Sequence, residues 1–391
     1  MRRLFTGIAA LLVALSTTAW GGGAAAEAQQ APNSPGAVYA MTNDATNNQV
    51  VVLNRAADGM LTPAGSFPTG GRGSGTFENS ANGLVLGEDV SPNNLRGNSK
   101  YLFATNAGSN SISVFETRSD GTLTLVEQEP SGGDHPISVT IRKNILYVLN
   151  GGATNCTGGT PTISGFSVGP QGTLTPIPGS TRPVSGGANS GCAQVSFTPD
   201  GDVLAVTQRQ ADKIDTYLVG KDGVASGPIV NETPGVGPFG FTFTQRGQLL
   251  STENFGAAPG QGGASSYDVR KDGTLVPISG PVRNNRSDTC WFVLTDNQKF
   301  GFVTNFQSGD ISSYRVESDG TLLLLNSIAG TVGIGASDQT LSGDSHFLYA
   351  RNALQGTISV FRVDQTNGTL TPIQTVTGLP PGGAAIGIAA K

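Results

Sequence analysis

From residue 38 onward the chain alternates apolar and polar positions in short runs, each closed by glycine, asparagine or aspartate. Alternation with period two sends successive side chains to opposite faces of an extended backbone, so these runs predict β-strands. One punctuation mark recurs along them: Asp58-Gly59-Met60-Leu61, Asp120-Gly121-Thr122-Leu123, Gln171-Gly172-Thr173-Leu174, Asp222-Gly223-Val224-Ala225, Asp272-Gly273-Thr274-Leu275, Asp319-Gly320-Thr321-Leu322 and Asn367-Gly368-Thr369-Leu370. The seven copies are separated by 62, 51, 51, 50, 47 and 48 residues. The long first interval contains a glycine-rich stretch, 67–83, expected to be a loop insertion.

Asp-Gly between two alternating runs marks a hairpin, because glycine accepts the positive φ of a tight turn. An alternating run precedes each copy, at 50–53, 111–115, 162–168, 214–219, 264–269, 311–316 and 357–363. Further upstream lies a strand ending in a polar residue, at 38–43, 102–106, 146–150, 204–208, 249–254, 302–305 and 348–352, preceded by inner strands such as 138–141, 193–197, 239–243 and 291–294. Four strands in roughly fifty residues, repeated, predict an all-β fold: a seven-bladed β-propeller of four-stranded antiparallel blades. The first strand of the repeat region is of the second-position type, whereas the final run, 384–390, has the small residues of an inner strand. The C-terminal strand is therefore expected to complete the N-terminal blade, which removes the unpaired edges of an open ring. Residues 37–391 then form one domain, with 29–36 a disordered lead-in.

Ahead of that domain, Arg2 and Arg3 precede an apolar run over 4–19 and small residues ending in Ala26-Glu27-Ala28. This predicts a cleavable signal peptide over 1–28 and a secreted or periplasmic protein, by the general or the twin-arginine route. No later segment is long enough for a membrane span. Composition sharpens the picture: 56 glycines suit a turn-rich fold, and 37% apolar residues exclude a disordered chain. A net charge of -5, near -6 once the leader is removed, leaves no basic stripe for nucleic acid. A monomer is expected, with no cofactor. Without a Cys-x-x-Cys or a Cys/His cluster, no metal site is expected either.

In such a propeller the links between strands one and two, and three and four, share one face of the disc, here the turn face. The links from strand two to three and from blade to blade share the other, here the link face, where a site is expected around the channel. Its candidates are Glu253 as base, His135 in Asp134-His135-Pro136 as reserve, and Arg209 and Arg351 as cations at second-strand ends. Asn106, Asn150, Asn254, Asn305, Asp288, Trp291 and Asp338 are the candidate ligand-binding residues, although asparagine at a strand end also serves to satisfy backbone groups where a ladder stops. Cys156 and Cys192 fall on this face in neighbouring positions and are candidates for a disulfide; Cys290 reads as a small buried hydrophobe.

The strand-plus-turn repeat, the run Phe197-Thr198-Pro199-Asp200-Gly201 and the strands Ser113-Val114-Phe115 and Ser359-Val360-Phe361 resemble the lactonase-type seven-bladed propellers. That family includes propeller 6-phosphogluconolactonases and 3-carboxy-cis,cis-muconate lactonising enzymes, and the resemblance spans residues 37–391. It implies a hydrolase acting on a small-molecule lactone. Family sites carry a Gly-Pro-Arg-His run and an Asn-Glu pair on the fifth blade; here Gly237-Pro238-Phe239-Gly240 and, in reversed order, Glu253-Asn254 stand there. The family arginines at the start of the last two blades are replaced by Asp288-Thr289-Cys290-Trp291 and Ala336-Ser337-Asp338. Lactone opening needs a base and a positive group for the developing oxyanion, roles for which Glu253 with Arg209 or Arg351 are the expectation. The acidic Asp288, Asp338 and Glu88 disfavour an anionic phosphosugar. The alternative is a non-enzymatic propeller that holds a glycan, peptide or cation on the same face.

Overall fold

A computed structural model describes residues 36–87, 100–118, 120–381 and 387–391. The expected signal peptide, most of the lead-in, and Glu88 and Asp89 lie outside the described residues. Gly36, assigned above to the lead-in, is already strand and pairs with Arg55.

Seven antiparallel sheets, numbered as blades from the N-terminus, succeed one another along the chain. Blade 5 shows the plan, with Pro238–Phe243, Leu249–Glu253, Gly263–Val269 and Leu275–Arg283 ordered from the channel outward. Blade 1 takes its inner strand from the C-terminus: Ile388–Ala390 pairs with Gly36–Met41, and positions 384–386 of the expected run lie outside the described residues. The carbonyl of Lys391 also accepts from Arg55 Nη2 at 3.0 Å. Blade 2 begins with Leu84–Gly87 as its inner strand. In blade 3 the outer strand is broken into Leu174–Pro176 and Arg182–Pro183, where prolines interrupt the ladder.

Hydrophobic side chains pack between blades. Phe347, Tyr349, Ile358 and Val360 of blade 7 meet Val38, Ala40 and Leu53 of blade 1, all nearly fully buried. Each buried aliphatic or aromatic side chain contributes about 1.5–3 kcal/mol, so every blade depends on its neighbours. The Asp-Gly turns sit on the turn face, their glycines at positive φ, as in Gly59 at 88° and Gly320 at 91°.

The link face differs from the regular plan at one place. Blade 1 ends at Pro68 and blade 2 starts at Leu84, so the link 69–83 is far longer than its counterparts, such as the one from Arg283 to Thr289. It forms a strap across the channel mouth.

Candidate functional site

The strap is tied to blades around the ring. Asn43 holds it at Ser74 through its side-chain oxygen, which accepts from Ser74 N at 2.8 Å. Glu78 then faces blade 3: its Oε1 lies 2.7 Å from His135 Nε2, and its Oε2 accepts from Asn155 N at 2.9 Å. Ala81 N donates to Ala193 O of blade 4, and Trp291 Nε1 of blade 6 donates to Ser80 O at 3.0 Å. Bonds to opposite sides of the ring within three residues require the strap to pass over the axis. Phe77 of the strap packs with Phe239, Trp291 and Phe306 in one apolar cluster, with Phe239 edge-on to Trp291 at 5.1 Å. Trp291, 2% exposed, is thus an anchor for the strap. His135, in the left-handed region at φ 57°, is engaged by Glu78 and is not open as a reserve base.

Beside the strap, four side chains from three blades converge. Arg209 follows the second strand of blade 4, Asn254 follows that of blade 5, and Asp288 and Cys290 flank the start of blade 6. The Cys290 thiol donates to Asp288 Oδ1 at 3.2 Å. Burial pushes the Asp288 carboxyl above the usual carboxylate range, while the thiol, the Arg209 charge and the Asn254 amide pull it partly back. Burial likewise raises the Cys290 thiol well above its ordinary value. That makes it a neutral donor with little nucleophilic character. Asp288 is only partly buried, as is Arg209, whose Nε has no hydrogen-bond partner. Asp288 also sits at φ 60°, and Phe255 and Ala257 nearby are at 51° and 62°. Such conformations cost an aspartate or aromatic residue energy and persist where surrounding packing enforces them.

Glu253 stands apart from this group. It is fully enclosed, and a Cβ on Gly235 would lie 1.3 Å from its Oε2, so the blade 4–5 link covers the carboxyl. Tyr267 donates to Oε1 at 3.3 Å, while Oε2 is unpartnered. Burial pushes Glu253 up to about 7, with the Ser265 and Tyr267 hydroxyls drawing it down part of the way. Arg351 is also enclosed: its Nη1 donates to Met41 O at 2.8 Å, and Nε and Nη2 have no partner. Burial lowers Arg351 to about 10 and raises Asp338, whose charge it feels, to about 7.

The asparagines expected to bind ligand are mostly committed inside the protein. Asn106 accepts from Asn48 and Thr69 and donates to Ser111 and Ser113. Asn305 accepts from Asn284 and Thr289 and donates to Asp310 and Ser312. Asn150 donates to Ser164 Oγ at 3.2 Å but leaves its buried Oδ1 unpaired. These three act as ladder-end clasps, and only Asn254 joins the Asp288 group. Cys156 and Cys192 form a disulfide that fixes the loop receiving the strap at Asn155. Among the described residues no three His, Cys, Asp or Glu side chains come together as a metal site would require, and no helix is long and apolar enough to cross a membrane. Sequence reasoning missed Glu78 and Phe77, whose only signal was the length of the first interval.

Fold and face together define a seven-bladed propeller with a strapped channel, and the comparisons agree with the resemblance read from the repeats. Residues 47–157 match the family model described as Lactonase, 7-bladed beta-propeller. No curated protein matches the chain by sequence. Among solved structures, the chain is similar to a putative 6-phosphogluconolactonase from Bacteroides fragilis, at 17% identity and TM-score 0.65 over 93% of this chain and 100% of that one. It is similar to the periplasmic gluconolactonase of Pseudomonas aeruginosa, at 17% identity and TM-score 0.64 over 91% and 98%. A protein from Lactobacillus plantarum gives 18% identity and TM-score 0.67 over 91% and 99%. At these identities the likeness is one of fold.

Proposed function

We propose that the protein is an exported lactone hydrolase that opens a neutral ring ester at the Arg209–Asn254–Asp288 cluster. The observation that carries this reading is a partly accessible carboxyl, Asp288, raised by burial and set beside a guanidinium with an unpartnered Nε. A carboxylate of raised pKa is a stronger base towards water at neutral pH. Asp288 takes a proton from water as the hydroxide adds to the lactone carbonyl. The negative oxygen that develops lies against Arg209, while the buried Asn254 amide holds the Asp288 carboxyl in place. The acyl–oxygen bond then breaks, the ring oxygen leaves as the alcohol by taking the proton that Asp288 removed from water, and the product is a hydroxy acid with Asp288 again a carboxylate. Glu253, the base expected from sequence, lies under Gly235 and would not touch a substrate. Export is supported by the residue pattern over 1–28.

The test uses the chain from residue 29 on a panel of sugar and aliphatic lactones. Asp288→Asn should lower kcat by about 100-fold or more, and Arg209→Ala by a similar factor, while Glu253→Gln leaves it unchanged. Turnover no faster than buffer, or unaltered by Asp288→Asn, defeats the proposal. A second reading, a propeller that binds without chemistry, is favoured by the strap across the channel mouth; a silent panel together with measurable lactone binding would select it.

A further inference from the structure

The turn face carries a groove of about 720 Å³ between blades 5, 6 and 7. Its volume falls within the range of small-molecule sites, which is about 300–1,000 Å³. It lies on the opposite face from the Asp288 group and is independent of the function proposed there.

The groove is where the repeat is broken. In blades 4, 6 and 7 the inner hairpin is closed by a hydroxyl and a short side chain two residues on: Thr198 to Asp200, Thr295 to Asn297 and Ser342 to Asp344, at 2.6, 2.8 and 2.6 Å. In blade 5 the corresponding residue is Arg246, and Thr244 bonds Gln248 instead. In place of the short polar side chain of the other blades, a guanidinium stands on the rim. Arg246 Nη1 donates to Ser318 O at 2.8 Å, which holds the side chain across the blade 5–6 gap and leaves its other donors to solvent. Lys299, across the groove, is exposed, and among the described residues no hydrogen bond or ion pair holds its ammonium. Arg315 lines the groove too, paired with Glu317 at 2.8 Å. The remaining lining is mostly amide and hydroxyl. Phe300 and Val316 are buried, and the exposed apolar contribution is Leu325.

We propose that this groove binds an acidic oligosaccharide, with uronate carboxylates on Arg246 and Lys299 and sugar hydroxyls on the amide lining. A guanidinium offers a planar fork matched to a carboxylate, and side-chain amides meet the donor-and-acceptor character of hydroxyls. A peptide of similar size would need more apolar anchoring than one leucine provides.

The test is calorimetry of the chain from residue 29 with a galacturonate trisaccharide, a neutral galactose trisaccharide and a hexaglutamate peptide. The acidic trisaccharide should bind, more weakly as salt is raised, and the neutral one about ten-fold less tightly or worse. Arg246→Gln and Lys299→Gln, both on exposed side chains, should each weaken binding by about ten-fold, while Asp288→Asn leaves it unchanged. The proposal fails if the acidic trisaccharide does not bind, if its affinity survives both substitutions, or if the peptide binds more tightly.

Discussion

Glu253 occupies the position that ends the second strand of a blade, where the other blades with a comparable residue place Asn106, Asn150, Gln208, Asn305 and Asn352. At that position an amide donates to the incoming link, as Asn352 does to Gly333 O at 3.1 Å. A carboxylate cannot donate, but a neutral carboxylic acid can, so burial keeps Glu253 protonated to about 7 in the fold against 4.5 ordinarily. Between those values the unfolded chain releases the proton and the folded chain retains it, so stability falls as pH rises from about 4.5 to about 7 and is level above. The loss is on the order of 3 kcal/mol. Glu253→Gln should abolish that slope and be the more stable form at pH 8, as urea unfolding at acid and alkaline pH would register. An equal slope in the variant would show that another group titrates. Strand ends rich in asparagine were visible in the sequence; that the fifth blade's carboxyl is shut under a glycine was not, because enclosure depends on a link from the preceding blade.

At the scale of elements, the strands, their order and the Asp-Gly hairpins follow from alternation and turn chemistry, which act over a few residues. The strap shows the limit of such local signals. Its sequence announces only a glycine-rich excess, whereas its course over the axis is set by Glu78, Ser80 and Ala81 finding partners on three different blades. Glycine at 73 is required by close approach, since a Cβ there would stand 2.2 Å from the Asn43 carbonyl carbon. Replacing His135 by Ala removes the 2.7 Å contact with Glu78 and leaves that buried carboxylate with fewer donors. Limited proteolysis should then cut within 69–83 several-fold faster while the circular dichroism of the blades is unchanged; equal cleavage would mean that the strap does not depend on this pair.

For the whole molecule, ring closure and the disulfide are the long-range ties. Removing residues 387–391 deletes the inner strand of blade 1 and exposes the edge of Gly36–Met41, so the melting temperature should fall sharply and aggregation should increase. Cys156→Ser with Cys192→Ser removes a link spanning 36 residues. The loss expected for such a link is about 2–4 kcal/mol, measurable by urea unfolding under non-reducing conditions.

The repeat of alternating runs and Asp-Gly turns was by itself enough to determine the number of blades, the strands per blade and the closure by the C-terminus, since these rest on local periodicity copied seven times. Tertiary structure alone decided which polar residues remain accessible. Glu253 and Arg351 are enclosed by neighbouring blades, whereas Arg209 and Asp288, far apart in sequence, meet beside the strap and stay partly exposed over the buried Asn254. Accessibility and pKa depend on atoms brought in from other blades, and no single repeat encodes where those atoms will be.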